Sequence, residues 1–419
     1  MPPRLPSLLP PLLLAVSLCS FATLCLLRHA PMADLLVYRA EGAAALHGGD
    51  LYGLTATPWR LPATYPPFAA VLLIPASWIP VPVLKAAFLA GNALLLAGLV
   101  SLSARLAAHP PPPPPHRSPP PHRSPPPRPP LPPPGPLTPA PPHRPPLPPP
   151  LLCTATALAL WLEPVFQTLL FGQINLAVTC LVLWDLTRPP GARGKGLALG
   201  LATGVKLTPA IFIAYLLLRG RTREAATATA AFAATVLLGT LLLPAASAEY
   251  WTRRLYETGR VGKVWIVDNQ SLQGLTARAL HDPAPGICWI LTAAAVGVAG
   301  LYLAARASQD RHGILLTAFT ALLVSPISWS HHWVWCVPLL AVLLADGRPR
   351  LAAATAAVFT ARTLWLVPHQ GYGDLRLPWW QQPLASPYPL LTLALLAGAA
   401  LTVAQPVPSA RISSASTIR

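Results

Sequence analysis

The chain has 419 residues, of which 53% are hydrophobic and only 10% charged, and its mean hydropathy is +0.50. Those values exclude an ordinary soluble domain. The formal net charge of +17 does not call for nucleic acid, because Arg and Lys cluster in short loops between apolar runs, where they suit a cytoplasmic, anionic lipid surface.

The first apolar run, 8–27, follows Arg4 and shows no small-residue cleavage site before Arg28, which predicts an uncleaved signal-anchor helix. Further candidate spans are 68–82, 83–104, 151–165, 169–187, 197–218, 226–244, 287–306, 313–325, 332–346, 351–367 and 388–404. Several fall short of the roughly 17 residues a straight crossing needs, so tilted, re-entrant or broken helices are expected. The expected fold class is an all-α polytopic membrane protein, a bundle of about 10–12 transmembrane helices. Residues 1–109 form the N-terminal helices with a first outer loop at 28–67, and 151–405 form the transmembrane core with outer loops at 245–286, 326–331 and 368–387. Residues 406–419 are a polar tail.

Three of the thirteen acidic residues, Asp34, Glu41 and Asp50, fall in the first outer loop. A carboxylate there sits at the lipid–water boundary, where it could take a proton from a hydroxyl while a lipid-borne donor waits in the bilayer. Alternatively, Asp34 caps a helix starting near Leu35, and a helix start would hold its pKa low.

Residues 110–150 are nearly all proline, with His-Arg-Ser-Pro-Pro-Pro repeated from His116 and His122. Such a run reads as an extended polyproline loop, either a low-complexity insertion or a site for a proline-binding partner.

Beyond the tract, basic loops at Arg219–Arg223, Arg306–Arg311 and Arg348–Arg350 should face the cytoplasm. A twelve-span count then puts Arg188, Arg193 and Lys195 outside. Either the charge rule is broken there or one of the spans between 68 and 218 is re-entrant.

The distinctive polar residues are Gln173 and Asn175 in Gly172-Gln173-Ile174-Asn175, Lys206, the run Asp268 to Ser271 with Arg278, and Ser325-Pro326 through His331-His332. An intramembrane Lys is costly, so Lys206 is either functional or paired with Glu163 or Asp185. Adjacent histidines face different sides of a helix, with no third ligand at metal spacing. His331 and His332 thus read as imidazoles that bind phosphate or move a proton, or as an interfacial pair beside Trp329, Trp333 and Trp335. The six cysteines contain no CxxC pair and read as small buried hydrophobes.

The pattern Asp34…Tyr38, Gly49-Asp50-Leu51-Tyr52 and Tyr65-Pro66-Pro67-Phe68 is similar to the first outer loop of glycosyltransferase family 87. Gly172–Asn175, Gly200 through Lys206 to Pro209, Asn269-Gln270-Ser271 with Arg278, and Ser325 to His332 match in the same order, from about residue 30 to 345. The proline tract is the departure. The resemblance implies an actinobacterial GT-C-type enzyme of the cell membrane, with its site on the extracytoplasmic side. It would move mannose, or less readily arabinofuranose, from a polyprenyl-phosphate-linked donor. The acceptor would be a phosphatidylinositol mannoside, lipoglycan, wall polysaccharide or protein.

In this reading Asp34 is the general base of an inverting transfer, His331 assists, and Arg278 and Lys206 steady the phosphate. Tyr38, Tyr65, Gln173, Asn175, Asn269, Gln270 and His332 would contact substrate. No cofactor or metal is implied, only the lipid-linked donor, the acceptor and membrane lipid. A retaining route would pair Asp34 with Asp50. Two other readings compete: a secondary transporter or lipid-linked-sugar flippase, suggested by the broken helix near Lys206 and by Glu163, and a scaffold presenting the proline tract.

Overall fold

The computed structural model describes residues 5–108, 147–369 and 371–404. Most of the 110–150 tract and the tail lie outside those residues, and with them the expected extended proline segment. Apart from a two-residue hairpin pairing Thr55–Ala56 with Leu61–Pro62, the regular structure is helical. The principal helices are α1 (Leu5–Leu27), α2 (Ala33–His47), α3 (Val81–Ala107), α4 (Pro149–Ala159), α5 (Glu163–Phe171), α6 (Asn175–Leu186), α7 (Leu197–Val205), α8 (Ile211–Leu218), α9 (Thr222–Leu242), α10 (Pro244–Thr252), α11 (Leu272–Leu280), α12 (Gly286–Arg306), α13 (Asp310–Val324), α14 (Cys336–Ala345), α15 (Pro349–Thr360) and α16 (Pro387–Ala404).

Among the described residues, helices α1, α3, α9 and α12 are each long and apolar enough to cross a bilayer alone, and α4 with α5, bent by 77°, is either a broken span or a re-entrant pair. They remain apolar on their outward faces: Leu9 and Leu12 of α1 and Ile287, Leu291 and Val298 of α12 are exposed. A helix greasy on its outside as well as its inside is solvated by lipid. The protein is an all-α, multi-pass membrane protein.

Two expected spans do not cross. Segment 68–82 breaks into two short helical pieces, Pro67–Leu72 and Ile74–Ser77. It stays at one end of the bundle, where the Phe68 amide lies beside Gly239 near the end of α9. There too, Lys85 of α3 donates to the Ala30 carbonyl at 3.1 Å.

Segment 197–218 is the second. Gly196 lies against Glu224 and Gly200 against Ala228, so α7 runs parallel to α9 from a common level. Lys195 pairs with Glu224 at 3.6 Å. At the other end of the segment Arg219 reaches Asp310 at 3.0 Å and Arg221 pairs with the same carboxylate. Both ends of 197–218 therefore share one face of the bundle, and α7 and α8 form a re-entrant hairpin with Lys206 at its tip. Gly196 permits this with φ +101°, and a Cβ on Gly200 would meet the Ala228 carbonyl at 2.3 Å. Small residues at four-residue spacing allow that backbone approach.

The hairpin settles the basic loop at 188–195, which lies at the same end as 219–223. Asp185 at the end of α6 accepts from the Gly196 and Leu199 amides at 2.9 Å, capping α7. Arg311 and His312 join Asp346 at 2.7 and 2.8 Å, and Arg311 reaches the Ala107 carbonyl at the end of α3. The charged loops thus close one end of the bundle. Glu163 is fully buried and satisfied, accepting from Trp365 Nε1 at 3.0 Å and from the Tyr388 hydroxyl at 2.7 Å. It pins α5 to α16.

Candidate active site

A cavity of about 330 Å3 opens at the end opposite the basic loops. One wall comes from α2 and the chain after it, which supply Asp34, Tyr38 and Tyr65; the floor is Gln173, Lys206 and His332. The rim is Tyr250, Arg254, Leu255 and Thr258, facing Ser325, Pro326 and Trp329.

Asp34 occupies the first turn of α2, whose N-cap residue is Met32, and no side chain caps that end. The capping role is therefore not seen, and the carboxylate faces the cavity. Nor is its pKa low. Burial pushes it up to about 6, helped by the charge of Asp268 and opposed by a hydrogen bond from Gln173 and by the nearby Lys206 charge. Desolvation outweighs the helix-start effect on which the expectation rested.

Gln173 follows Gly172, which ends α5 at φ +71° and lies so close to α2 that a Cβ would meet Leu35 Cβ at 2.8 Å. That turn carries the Gln173 side chain to α2. Its Oε1 accepts from the Tyr38 hydroxyl at 2.7 Å and the Tyr65 hydroxyl at 3.1 Å, and the two phenols lie 2.9 Å apart. With both lone pairs of that oxygen engaged, the amide NH2 is left to face Asp34. Tyr65 is held by the Tyr52 hydroxyl, which donates to its carbonyl at 2.8 Å. Glu41, behind this wall, accepts from the Thr64 amide at 3.3 Å. Burial pushes its carboxyl up to about 8, with the Asp34 charge adding to the shift and the Thr64 bond opposing it.

Lys206 sits where α7 stops, between Val205 and the single 3-10 turn Thr208–Ala210. Its ammonium donates to Asn175 Oδ1 at 2.8 Å and lies 3.1 Å from His332 Nε2. When Lys206 is charged it only donates, so in that state Nε2 accepts and the ring proton of His332 sits on Nδ1. Neither Glu163 nor Asp185 pairs with Lys206. Asn175 is itself fixed, since its Nδ2 donates to the His331 carbonyl at 2.9 Å.

The structure thus gathers Asp34, Tyr38, Tyr65, Gln173, Lys206 and His332 around one cavity, with Asn175 just behind. The other expected residues stand apart. The His331 ring is buried against Phe171, 5.4 Å between centroids, and does not line the cavity; the imidazole that does is His332. Arg278 is fully buried, with its donors spent on Ser386 Oγ and the carbonyls of Trp265, Ile266 and Asn269. Asn269 ties the 326–328 loop to α11 through the Pro326 carbonyl and the Ser328 amide, and Gln270 ties it to α16 through the Ala385 carbonyl and the Tyr388 amide. These three residues frame the site without reaching it. Asp50 turns inward on its own loop, accepting from the Tyr52 and Gly53 amides, and is not paired with Asp34 across the cavity. Arg254 and Tyr250 went unnoticed in the sequence, although a charge-rich Arg253-Arg254 beside aromatic residues in an outer loop was a usable signal.

Comparison with known proteins bears on this cavity. The model of glycosyltransferase family 87 matches residues 63–326. A Mycobacterium tuberculosis protein named polyprenol-phosphate-mannose-dependent alpha-(1-2)-phosphatidylinositol mannoside mannosyltransferase is 34% identical over 387 residues, covering 88% of this chain and 84% of that protein. Its namesake from Mycolicibacterium smegmatis is 33% identical over 356 residues, covering 79% and 74%. A phosphatidylinositol pentamannoside mannosyltransferase from the same species is 34% identical over 367 residues, covering 82% and 78%. No solved structure matches. The family match spans both the Tyr65 wall and the Lys206 tip, and the chain belongs to glycosyltransferase family 87.

Proposed function

We propose that this enzyme transfers mannose from polyprenyl-phosphate-mannose to a phosphatidylinositol mannoside, with inversion and without a metal, using Asp34 as general base. One observation carries the reading: a single cavity holds the Asp34 carboxylate together with the fixed ammonium of Lys206 and the His332 imidazole. The names of the mycobacterial relatives supply the donor and acceptor classes.

The chemistry divides between the two groups. Asp34 takes the proton of the acceptor hydroxyl as its oxygen bonds to the anomeric carbon. The bond from that carbon to the phosphate oxygen breaks, and the electron pair leaves with the lipid phosphate. Lys206 and the Nδ1–H of His332 stabilise the charge gathering there. With Arg278 committed elsewhere, this pair replaces the phosphate contacts expected from sequence. That the basic loops close the opposite end supports, by the positive-inside rule, a site outside the cytoplasm.

The test uses membranes carrying the wild type or Asp34→Asn, with radiolabelled polyprenyl-phosphate-mannose, a phosphatidylinositol mannoside and EDTA. Transfer by the wild type and a loss of at least a hundredfold in the variant is the expected result. Equal transfer by both would remove Asp34 from the mechanism, and wild-type transfer that EDTA abolishes would remove the metal-free route.

A further inference from the structure

We infer that Arg254 at the cavity rim forms an acceptor subsite that reads neutral sugar hydroxyls; this rests on the transferase reading above. The argument begins with charge. Arg254 donates from Nε to Glu249 and from Nη1 to Glu257, both at 2.6 Å. Arg253 pairs with Glu257 from the other side at 2.7 Å. Glu249 and Glu257 offset Arg254 and Arg253, with Arg260 close by as a third guanidinium, so the charge of Arg254 itself is held between two carboxylates.

A phosphate seeks positive charge that no tight ion pair has taken up, and Lys206, which donates to Asn175 beside His332 with the Asp34 carboxylate farther off, supplies it. A sugar ring instead seeks directional donors and acceptors held rigid. Arg254 is a planar donor fork locked by its two carboxylates, with Nη2 unspent and about 18% of the side chain exposed. Glu249 and Glu257 beside it are acceptors, each about 30% exposed. Leu255 of the same rim, half-buried, provides apolar surface beside the fork. The donor sugar must lie near Asp34 with its phosphate on Lys206, so the rim is the side left for the acceptor's glycan.

The experiment measures steady-state transfer by the full chain in detergent with two acceptors, a phosphatidylinositol mannoside and the uncharged n-octyl α-mannoside. Arg254→Ala should raise the KM of both acceptors at least tenfold, with donor KM and kcat changed less than twofold. A Glu249→Gln/Glu257→Gln double variant should also raise acceptor KM, because Arg254 loses its lock. Arg253→Ala, on the exposed outer side of the cluster, should change neither.

If the Arg254→Ala penalty appears only with the phosphatidylinositol acceptor, or if the double variant lowers KM, the residue reads phosphate and the inference is wrong. A penalty on donor KM alone, or none at all, overturns it equally. Should Arg254→Ala fail to fold, Leu255→Trp narrows the same rim without touching the ion pairs, and an unchanged acceptor KM there overturns the subsite. Wild type inactive with either acceptor would instead count against the transferase reading itself.

Discussion

Asp34 carries the most testable number in the site. In its proposed role as base Asp34 must be ionised to work, and its pKa of about 6 lies above the ordinary carboxylate value because burial outweighs the help of Gln173 and Lys206. The sign follows: activity is full above that pKa and is lost as pH falls through it. A plot of kcat/KM against pH should show an acid limb centred near 6, dropping about tenfold per unit below roughly 5. Gln173→Leu removes a bond to the charged form, so the limb should move to higher pH. A limb that stays put in that variant would mean that Gln173 does not act on Asp34. The sequence made Asp34 visible because carboxylates are scarce in this chain. It could not make the pKa visible, since position at a helix start argued for lowering while desolvation depends on Tyr38, Tyr65 and Gln173 closing over it. The same limit applies to Arg278 and His331. A polar residue outside the apolar runs looks alike in sequence whether it meets a substrate or, as Arg278 of α11 does, fastens flanking loops together.

At the scale of elements, the decisive object is the hairpin of α7 and α8. Twenty-odd apolar residues satisfy the length criterion for a crossing, and length alone cannot separate one full helix from two half-length ones returning to the same side. The signals for a break were nevertheless present: Gly196, Gly200 and Gly204 at four-residue intervals, then Lys206 and Pro209. Their physical meaning appears only with α9 alongside, since the glycines matter for what they touch. Non-helical backbone at membrane depth is tolerated where protein or a cavity covers it, and here the turn at Lys206 faces the site. Gly200→Leu should force α7 away from the Ala228 carbonyl, costing about 1–3 kcal/mol by overpacking and carrying Lys206 off Asn175 and His332. A lowered Tm in detergent together with lost transfer is the expected outcome. Gly91→Ala on α3, whose added Cβ meets nothing within 4 Å, is the control and should leave both unchanged. Should Gly200→Leu keep full activity, the tip of the hairpin does not need its present place.

For the whole molecule, the hairpin and the non-crossing 68–82 segment decide which loops share a side. Span counting left the 188–195 loop on the wrong face, against its charge, because it took each apolar run for a crossing; the re-entrant alternative removes the conflict. Once 197–218 returns to its starting side, Lys195 and Glu224 meet, and Arg219, Arg221, Arg311 and His312 gather on Asp310 and Asp346 at the same end. The cavity then stands at the other end, with the 245–286 loop as its rim. This arrangement suits a lipid-linked donor: the charged loops meet anionic lipid on one face while sugar transfer proceeds on the other. It is testable without any substrate. In a background lacking the native cysteines, Asp282→Cys, in the 245–286 loop, should react with a membrane-impermeant maleimide in intact cells. Arg193→Cys, in the basic loop, should react only after permeabilisation. Both positions are exposed, so a failure to react reports sidedness and not burial. Labelling of Arg193→Cys from outside would return 197–218 to the status of a crossing and turn the site toward the cytoplasm, where a lipid-phosphate sugar would have to be presented from the opposite leaflet.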